Sequence, residues 1–192
     1  QQQNTAELYL DNVVITGCAV PRQPPLTKAF NPTTIAVNGT STLTFTLTNE
    51  NNVALTGAAF TDVLPAGLQV AATPAATNTC GGTWSPTAGA TTLTFSGGTI
   101  PGRVGLVNGS CTMSVAVTAT TAGSFTNVSG AISTTQTGTN SGPNGFAVAS
   151  LTAISPPVIA KQFIASPILA YLNLRRSKPT EDGQGGAVGS KA

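Results

Sequence analysis

The chain has 192 residues, of which 40% are hydrophobic and only 7% are charged, and its formal net charge is +2. Disordered chains combine low hydrophobicity with high net charge, so this composition excludes a largely disordered body and is typical of a secreted β-protein. The sequence contains no histidine and no nucleotide-binding or hydrolase motif, so it predicts no enzyme, metal site or cofactor. It also contains no basic patch and no long apolar run, so it predicts no nucleic-acid partner and no membrane span.

The first predicted element is an N-terminal extension, residues 1–22. Within it, residues 6–15 (AELYLDNVVI) are β-prone and long enough to form a strand. Two interpretations remain open: an ordinary first strand of this domain, or a donor strand that adds to the sheet edge of an identical subunit and builds a head-to-tail polymer. The chain begins at Gln1 without methionine, which fits a secreted form that has lost its signal peptide, or a fragment.

Residues 23–155 are predicted to form the main domain, because short segments with strand periodicity follow one another through it. In residues 42–48 (TLTFTLT), Leu43, Phe45 and Leu47 alternate with threonines, which places the apolar side chains on one face of a strand. Many short strands without a helical window predict an all-β fold, an immunoglobulin-like antiparallel β-sandwich. The other predicted strands cover residues 26–30, 59–64, 67–70, 91–95, 111–120, 125–132 and 146–154.

Three polar side chains share a strand face with apolar ones in this domain. Lys28, Asp62 and Asn127 each lie two positions from a core-type residue, in the segments LTKAF, FTDVL and SFTN. Because side chains two positions apart in a strand point the same way, we expect an amine, a carboxyl group and an amide to face the core. Burying charges is costly unless they are paired or neutralised, so this pattern needs a chemical explanation.

These three groups are the set that an intramolecular isopeptide bond requires. A lysine neutralised by burial, Lys28, would attack the side-chain carbonyl of Asn127 while Asp62 polarises that carbonyl and shuttles the proton, and ammonia would leave. The product would link an early strand to a late one, which suits a fibre under tension. The alternative interpretation is that Lys28 extends to the sheet edge, Asp62 begins a turn and Asn127 caps a strand.

Cysteine usage agrees with an oxidising compartment. Cys80 and Cys111 are 111 − 80 = 31 positions apart, and we expect them to form a disulfide, with two buried, reduced thiols as the alternative. Cys18 is left over and is interpreted either as a free thiol or as a link between subunits.

The last predicted region, residues 156–192, is a linker with the start of a truncated second repeat and an irregular tail. Its first residues, PPVIAKQF, nearly repeat PPLTKAF of residues 24–30, with an offset of 163 − 30 = 133 positions. Such self-similarity is typical of tandem domains. Lys161 repeats the setting of Lys28 but no matching Asp and Asn follow, so it is either unpaired or meets groups on another subunit.

Motifs between residues 24 and 154, most distinctively TDVLPAGL at 61–68 and SFTN at 124–127, resemble a known family. They are similar to the conserved repeat of bacterial surface proteins called domain of unknown function eleven. The resemblance implies a secreted or wall-associated β-sandwich beside neighbouring repeats, extracellular or at the cell surface, with a scaffolding or adhesive role.

The sequence therefore favours a non-enzymatic structural subunit of an extracellular filament or surface layer, with itself and neighbouring repeats as partners. The alternative is an adhesin or carbohydrate-binding stalk module that contacts a glycan or a host surface. That alternative needs an exposed aromatic side chain, for which Trp84 is the loop candidate. A core position near the disulfide is the competing interpretation of Trp84.

Overall fold

The computed structural model describes residues 20–157 and Ile159. These residues form one 3₁₀ turn, Pro143–Gly145, and thirteen strands. The strands are β1 (Leu26–Asn31), β2 (Thr34–Ala36), β3 (Thr40–Asn49), β4 (Leu55–Val63), β5 (Leu68–Val70), β6 (Thr77–Asn78), β7 (Thr83–Trp84), β8 (Thr92–Ile100), β9 (Gly109–Ala119), β10 (Gly123–Val128), β11 (Ser133–Thr134), β12 (Gly138–Thr139) and β13 (Val148–Ile154). Within the described part of the chain, no helix has the length and apolar character needed to cross a membrane.

Several predictions fall on other residues. The donor strand at residues 6–15, Cys18 and Lys161 lie outside the described residues. Apart from Pro157 and Ile159, everything described belongs to one compact unit that ends at Pro156. The N-terminal extension, the truncated second repeat and the irregular tail therefore stay predictions.

The strands pack in two layers, as predicted for an immunoglobulin-like β-sandwich. In the first layer β3 and β9 form the centre, β1 lies beyond β3, and β5 and β6 both pair with β9. The second layer contains the sheets β2–β13–β10 and β7–β8–β4–β11–β12. A bridge between Asp62 of β4 and Ser129, the residue after β10, joins these two sheets.

One pairing differs from the antiparallel prediction, because β2 runs parallel to β13. After β1 the chain bends at residues 32–33 and continues into β2, which belongs to the other layer. The pairing is parallel because β13 runs the same way as β2, with Thr34 opposite Thr152 and Ala36 opposite Ile154.

The core lies between the layers and is built by strict alternation along the long strands. In β3 and β9, every second residue from Leu43 to Leu47 and from Cys111 to Val117 is buried. Phe45 and Phe60 bring their ring centroids to 5.0 Å across the core. Aromatic pairs at such distances contribute beyond their buried area.

Trp84 belongs to this core. Its indole is buried, lies edge-on to Phe45 and donates a hydrogen bond to the backbone oxygen of Ser114 at 2.9 Å. The side chain on which the carbohydrate-binding alternative depends therefore offers no exposed aromatic platform.

The predicted strand at residues 125–132 is too long at its C-terminal end, since β10 ends at Val128. The Gly130 N–H donates to the backbone oxygen of Thr61 and the Ile132 N–H donates to that of Gly145. The backbone therefore leaves the β10–β13 ladder and turns towards β4. Local periodicity could not reveal this, because the apolar pattern continues to the buried Ile132.

The chain enters and leaves the sandwich at opposite ends. The first residue of β1, Leu26, pairs with Leu47 near the end of β3, close to the β3–β4 and β8–β9 loops. The last residue of β13, Ile154, pairs with Ala36 just before β3 begins. We call the first of these the N-terminal end of the sandwich, formed by residues 20–25, 50–54 and 101–108.

Candidate functional site

A cluster of three polar side chains lies inside the sandwich, and we call it the amine–acid–amide cluster: Lys28, Asp62 and Asn127. Lys28 is on β1 in the first layer, whereas Asp62 and Asn127 are on β4 and β10 in the second. Each of these strands alternates buried and exposed residues around the polar position, so the side chain points to the core together with its apolar neighbours.

The cluster is closed by hydrogen bonds among its own members. The Lys28 Nζ donates to Asp62 Oδ2 at 3.1 Å and also donates to Asn127 Oδ1. The Asn127 Nδ2 donates to Asp62 Oδ1 at 2.8 Å and to the backbone oxygen of Val63 at 3.0 Å. The carboxyl group of Asp62 therefore contacts the amine with one oxygen and the amide nitrogen with the other. It does not contact the Asn127 carbonyl oxygen that it was expected to polarise, because that oxygen accepts from Lys28.

Solvent has no access to these groups. The side chains of Lys28 and Asp62 are both 0% exposed, and Asn127 is 1% exposed. The Phe45 ring lies 5.8 Å from the Lys28 Nζ and forms part of the apolar wall. Lys28 therefore does not extend to the solvent at the sheet edge.

Burial also changes the basicity of the amine. Removal from water lowers the pKa of Lys28 below its ordinary value of 10.5, and the charge of Asp62 and the hydrogen bond to it oppose that shift in part. The reason is that a charged ammonium group loses its hydration when it is buried. A larger fraction of Lys28 is therefore the neutral, nucleophilic amine than for a lysine in water.

This arrangement contains every group needed for amide exchange. The Lys28 Nζ can attack Cγ of Asn127, form a new C–N bond and displace Nδ2 as ammonia. The Oδ2 atom of Asp62 can accept the proton that Nζ loses. The Oδ1 atom of Asp62 can deliver a proton to the departing Nδ2. The balance is one amine and one primary amide giving one secondary amide and one ammonia, without oxidant or cofactor.

The Asn127→Ala variant, which cannot form this bond, is expected to become more stable as the pH rises towards 10.5. Between the lowered pKa of folded Lys28 and its ordinary value, the unfolded chain binds more protons than the folded chain, so the free energy of unfolding increases with pH. Urea unfolding at several pH values measures this slope. If the parent chain carries the amide, its Lys28 nitrogen no longer titrates, and its free energy of unfolding does not increase with pH in this way. Equal dependence of the unfolding free energy on pH in both proteins would contradict the cross-link.

A disulfide joins Cys80 to Cys111 over a separation of 31 positions. It ties the loop after β6 to the start of β9, and both cysteines are buried beside the core. By constraining the unfolded chain, such a link contributes roughly 2–4 kcal/mol.

Polar residues at the N-terminal end of the sandwich hold the incoming chain, and the sequence reasoning missed them. The Asn51 side chain accepts from the Arg22 N–H at 2.7 Å and donates to the Arg22 oxygen at 2.9 Å, as a neighbouring strand would. Glu50 pairs with the Arg22 guanidinium, and Asn140 donates to the Pro24 oxygen at 3.1 Å. The Asn-rich segment NENN at 49–52 is the signal that could have indicated such backbone-binding amides.

Comparison with protein families matches residues 24–152 to a family described as "Domain of unknown function (DUF7933)". The chain belongs to this family. The DUF7933 label differs from domain of unknown function eleven, which the sequence motifs resemble, and that narrower assignment is not supported. A search among curated proteins finds no match for the chain.

Solved structures similar to this DUF7933 chain are β-proteins of low identity. A bacterial hydrophobin, BslA, is 14% identical with a TM-score of 0.43, covering 72% of this chain and 98% of its own. A non-cellulosomal cohesin from the archaeon Archaeoglobus fulgidus is 10% identical with a TM-score of 0.42, covering 68% and 92%. The collagen adhesin of S. aureus is 13% identical with a TM-score of 0.41, covering 66% and 48%. Likenesses this distant carry no argument about function.

Proposed function

We propose that this DUF7933 chain is a non-enzymatic structural module of an extracellular filament or surface layer. We also propose that an amide bond between Lys28 and Asn127, formed with the help of Asp62, cross-links it internally. The observation that carries the proposal is the dry amine–acid–amide cluster, in which one carboxyl group contacts both the nucleophile and the leaving group. A buried ion pair adds little net stability by itself, so its chemistry is the better reason for its presence.

The position of the cluster in the fold favours a load-bearing role. The chain enters at one end of the sandwich and leaves at the other, so tension on its two ends pulls β1 along its own length. All hydrogen bonds between β1 and β3 then bear the pulling force at the same time and do not break one after another. A bond from Lys28 to Asn127 would also exclude the 99 positions between them from any extension.

The free edge of β1 supports the proposal that the chain assembles by strand addition. The Thr48 N–H donates to the Pro25 oxygen, and every second residue of an antiparallel strand bonds to the same neighbour. The backbone groups of Leu26, Lys28 and Phe30 therefore point away from β3. Among the described residues no strand pairs with that edge.

We propose that residues 6–15 of an identical subunit pair with this β1 edge and so form a head-to-tail polymer. A row of unpaired N–H and C=O groups is a template for such pairing. The β-prone composition of the segment supports its role as the donor.

Deletion of residues 1–16 is expected to abolish filaments formed by the purified chain, because it removes the proposed donor and leaves the sandwich intact. Negative-stain electron microscopy and sedimentation velocity measure assembly. Deletion of residues 175–192 is the matched control, since it shortens the chain by a similar length without removing a predicted strand. Unchanged filaments after the N-terminal deletion would refute strand donation, and monomers from the parent chain would refute the polymer.

A further inference from the structure

An exposed apolar hairpin tip projects from the β8–β9 loop at the N-terminal end of the sandwich. Its three aliphatic side chains are among the most exposed in the described chain: Val104 is 80%, Leu106 97% and Val107 73% exposed. Single exposed apolar residues are common on protein surfaces, but three together at one tip are not.

The backbone of the tip is fixed in this projecting form. The Val104 N–H donates to the Val107 oxygen and the Val107 N–H donates to the Val104 oxygen, both at 3.0 Å. Gly105 between them has a φ of +60°, a conformation that favours glycine, and a side chain built there would meet no atom within 4 Å. The tip therefore cannot cover its aliphatic groups by folding back without breaking this hairpin.

A positive charge lies at the same end of the sandwich, because Arg103 precedes the tip in the chain and its guanidinium donates to Asn52 Oδ1 at 3.3 Å. Arg103 lines a cleft of about 730 Å³ together with Arg22, Glu50 and Val53. Glu50 pairs with Arg22 and Asp62 pairs with Lys28, so within the described residues Arg103 is the cation that has no acidic partner. The N-terminal end of the sandwich thus combines an apolar projection with a net positive charge.

We propose that this tip inserts into the surface of a lipid bilayer that carries anionic headgroups. Three aliphatic side chains expose far less than the roughly 800 Å² per partner that a stable protein interface buries. A convex tip also lacks the flat or concave shape that a protein partner would match. A fluid bilayer needs no matching shape, and its affinity grows with the buried apolar area and with attraction between basic residues and anionic lipids.

The test is cosedimentation of the full-length chain with vesicles of phosphatidylcholine alone and with added phosphatidylglycerol. The triple variant Val104→Ser/Leu106→Ser/Val107→Ser is expected to bind roughly tenfold or more weakly, because it removes the apolar groups that insert. Arg103→Gln is expected to reduce only the gain produced by phosphatidylglycerol.

A matched control is Val128→Ser/Val148→Ser/Ile154→Ser, which changes three exposed aliphatic residues on the outer face of β10 and β13. It is expected to bind vesicles like the parent chain. In Leu106→Trp, bound vesicles are expected to shift the emission of the new indole to the blue, which reports insertion at this residue.

Three outcomes would overturn the proposal. The first is equal vesicle binding by the parent chain and the tip variant. The second is an equal loss in the control variant. The third is a parent chain that does not bind vesicles but forms a dimer, if the tip substitutions abolish that dimer. The tip would then bind a second copy of the chain.

Discussion

The folded chain is expected to be lighter than its sequence by one molecule of ammonia, and the Asp62→Ala variant is expected to keep that mass. Formation of the Lys28–Asn127 amide releases ammonia, and without the carboxyl group no side chain connects the amine to the amide nitrogen. Intact mass spectrometry after reduction of the disulfide measures the difference. A tandem spectrum should place the missing mass in a branched peptide that contains both Lys28 and Asn127.

The same substitution is expected to lower the free energy of unfolding by about 5 kcal/mol or more, because two effects act together. The variant keeps Lys28 as a free, buried amine without the Asp62 carboxyl group, and an unpaired charge inside a protein typically costs about 3–5 kcal/mol. Losing a cross-link across 99 positions releases chain entropy in the unfolded state worth roughly another 4–5 kcal/mol. Thermal unfolding with and without reductant measures the loss.

Two further variants keep this prediction decisive if Asp62→Ala fails to fold. Lys28→Met removes the amine, so it is expected to keep the full mass of its sequence. The Asp62 carboxyl group that it leaves without a basic partner still accepts a hydrogen bond from the Asn127 amide, which supports folding. Asn49→Ala removes a buried amide outside the cluster, so it is expected to lose stability while the ammonia is still released. A parent chain with the plain mass of its sequence would rule out the bond.

Pulled by its two ends, the parent chain is expected to extend far less than Lys28→Met. In the parent, the 99 positions between Lys28 and Asn127 are bypassed by the amide. In the unlinked variant the disulfide still holds 31 of them, so 99 − 31 = 68 positions are released. At the reach of an extended chain, this is roughly 230 Å of additional length. Single-molecule force spectroscopy measures this increment.

Reductant provides the internal control for this experiment. In Lys28→Met it is expected to add roughly 100 Å more, because the 31 positions between Cys80 and Cys111 become free. In the parent chain it is expected to add nothing, since those positions lie inside the bypassed segment. An increment in the parent that depends on reductant would contradict a bond between β1 and β10.

Much of the local structure follows from the sequence because strand alternation is a local property. The TLTFTLT segment predicted the strand that became the centre of the first layer, and Trp84 could be assigned to the core as one of two interpretations. The short strands β2, β6, β7, β11 and β12 were not predicted. Strands of two or three residues have few positions in which to show a period, and their pairing depends on distant partners, so of the strands this short only β5 was predicted.

The polar contacts that hold the incoming chain at the N-terminal end of the sandwich show the same limit. Arg22 and Asn51 are ordinary surface residues in the sequence, and only the return of β3 beside the incoming chain lets the Asn51 amide replace a neighbouring strand. The projecting tip at residues 104–107 was likewise missed. Its VGLV sequence is typical of a buried strand, whereas the hairpin turns those side chains to solvent.

The sequence by itself determined the fold class, because the period of two along a strand assigns residues to faces, and it offered the inward direction of the cluster side chains as one of two interpretations. It could not determine which strands lie side by side. Only the tertiary structure decided that β4 and β10 meet in one layer with β1 opposite, so that Lys28, Asp62 and Asn127 contact one another. The physical reason is that strand order depends on contacts between residues as far apart as Thr34 and Thr152, which are 152 − 34 = 118 positions from each other, and no local pattern contains that information.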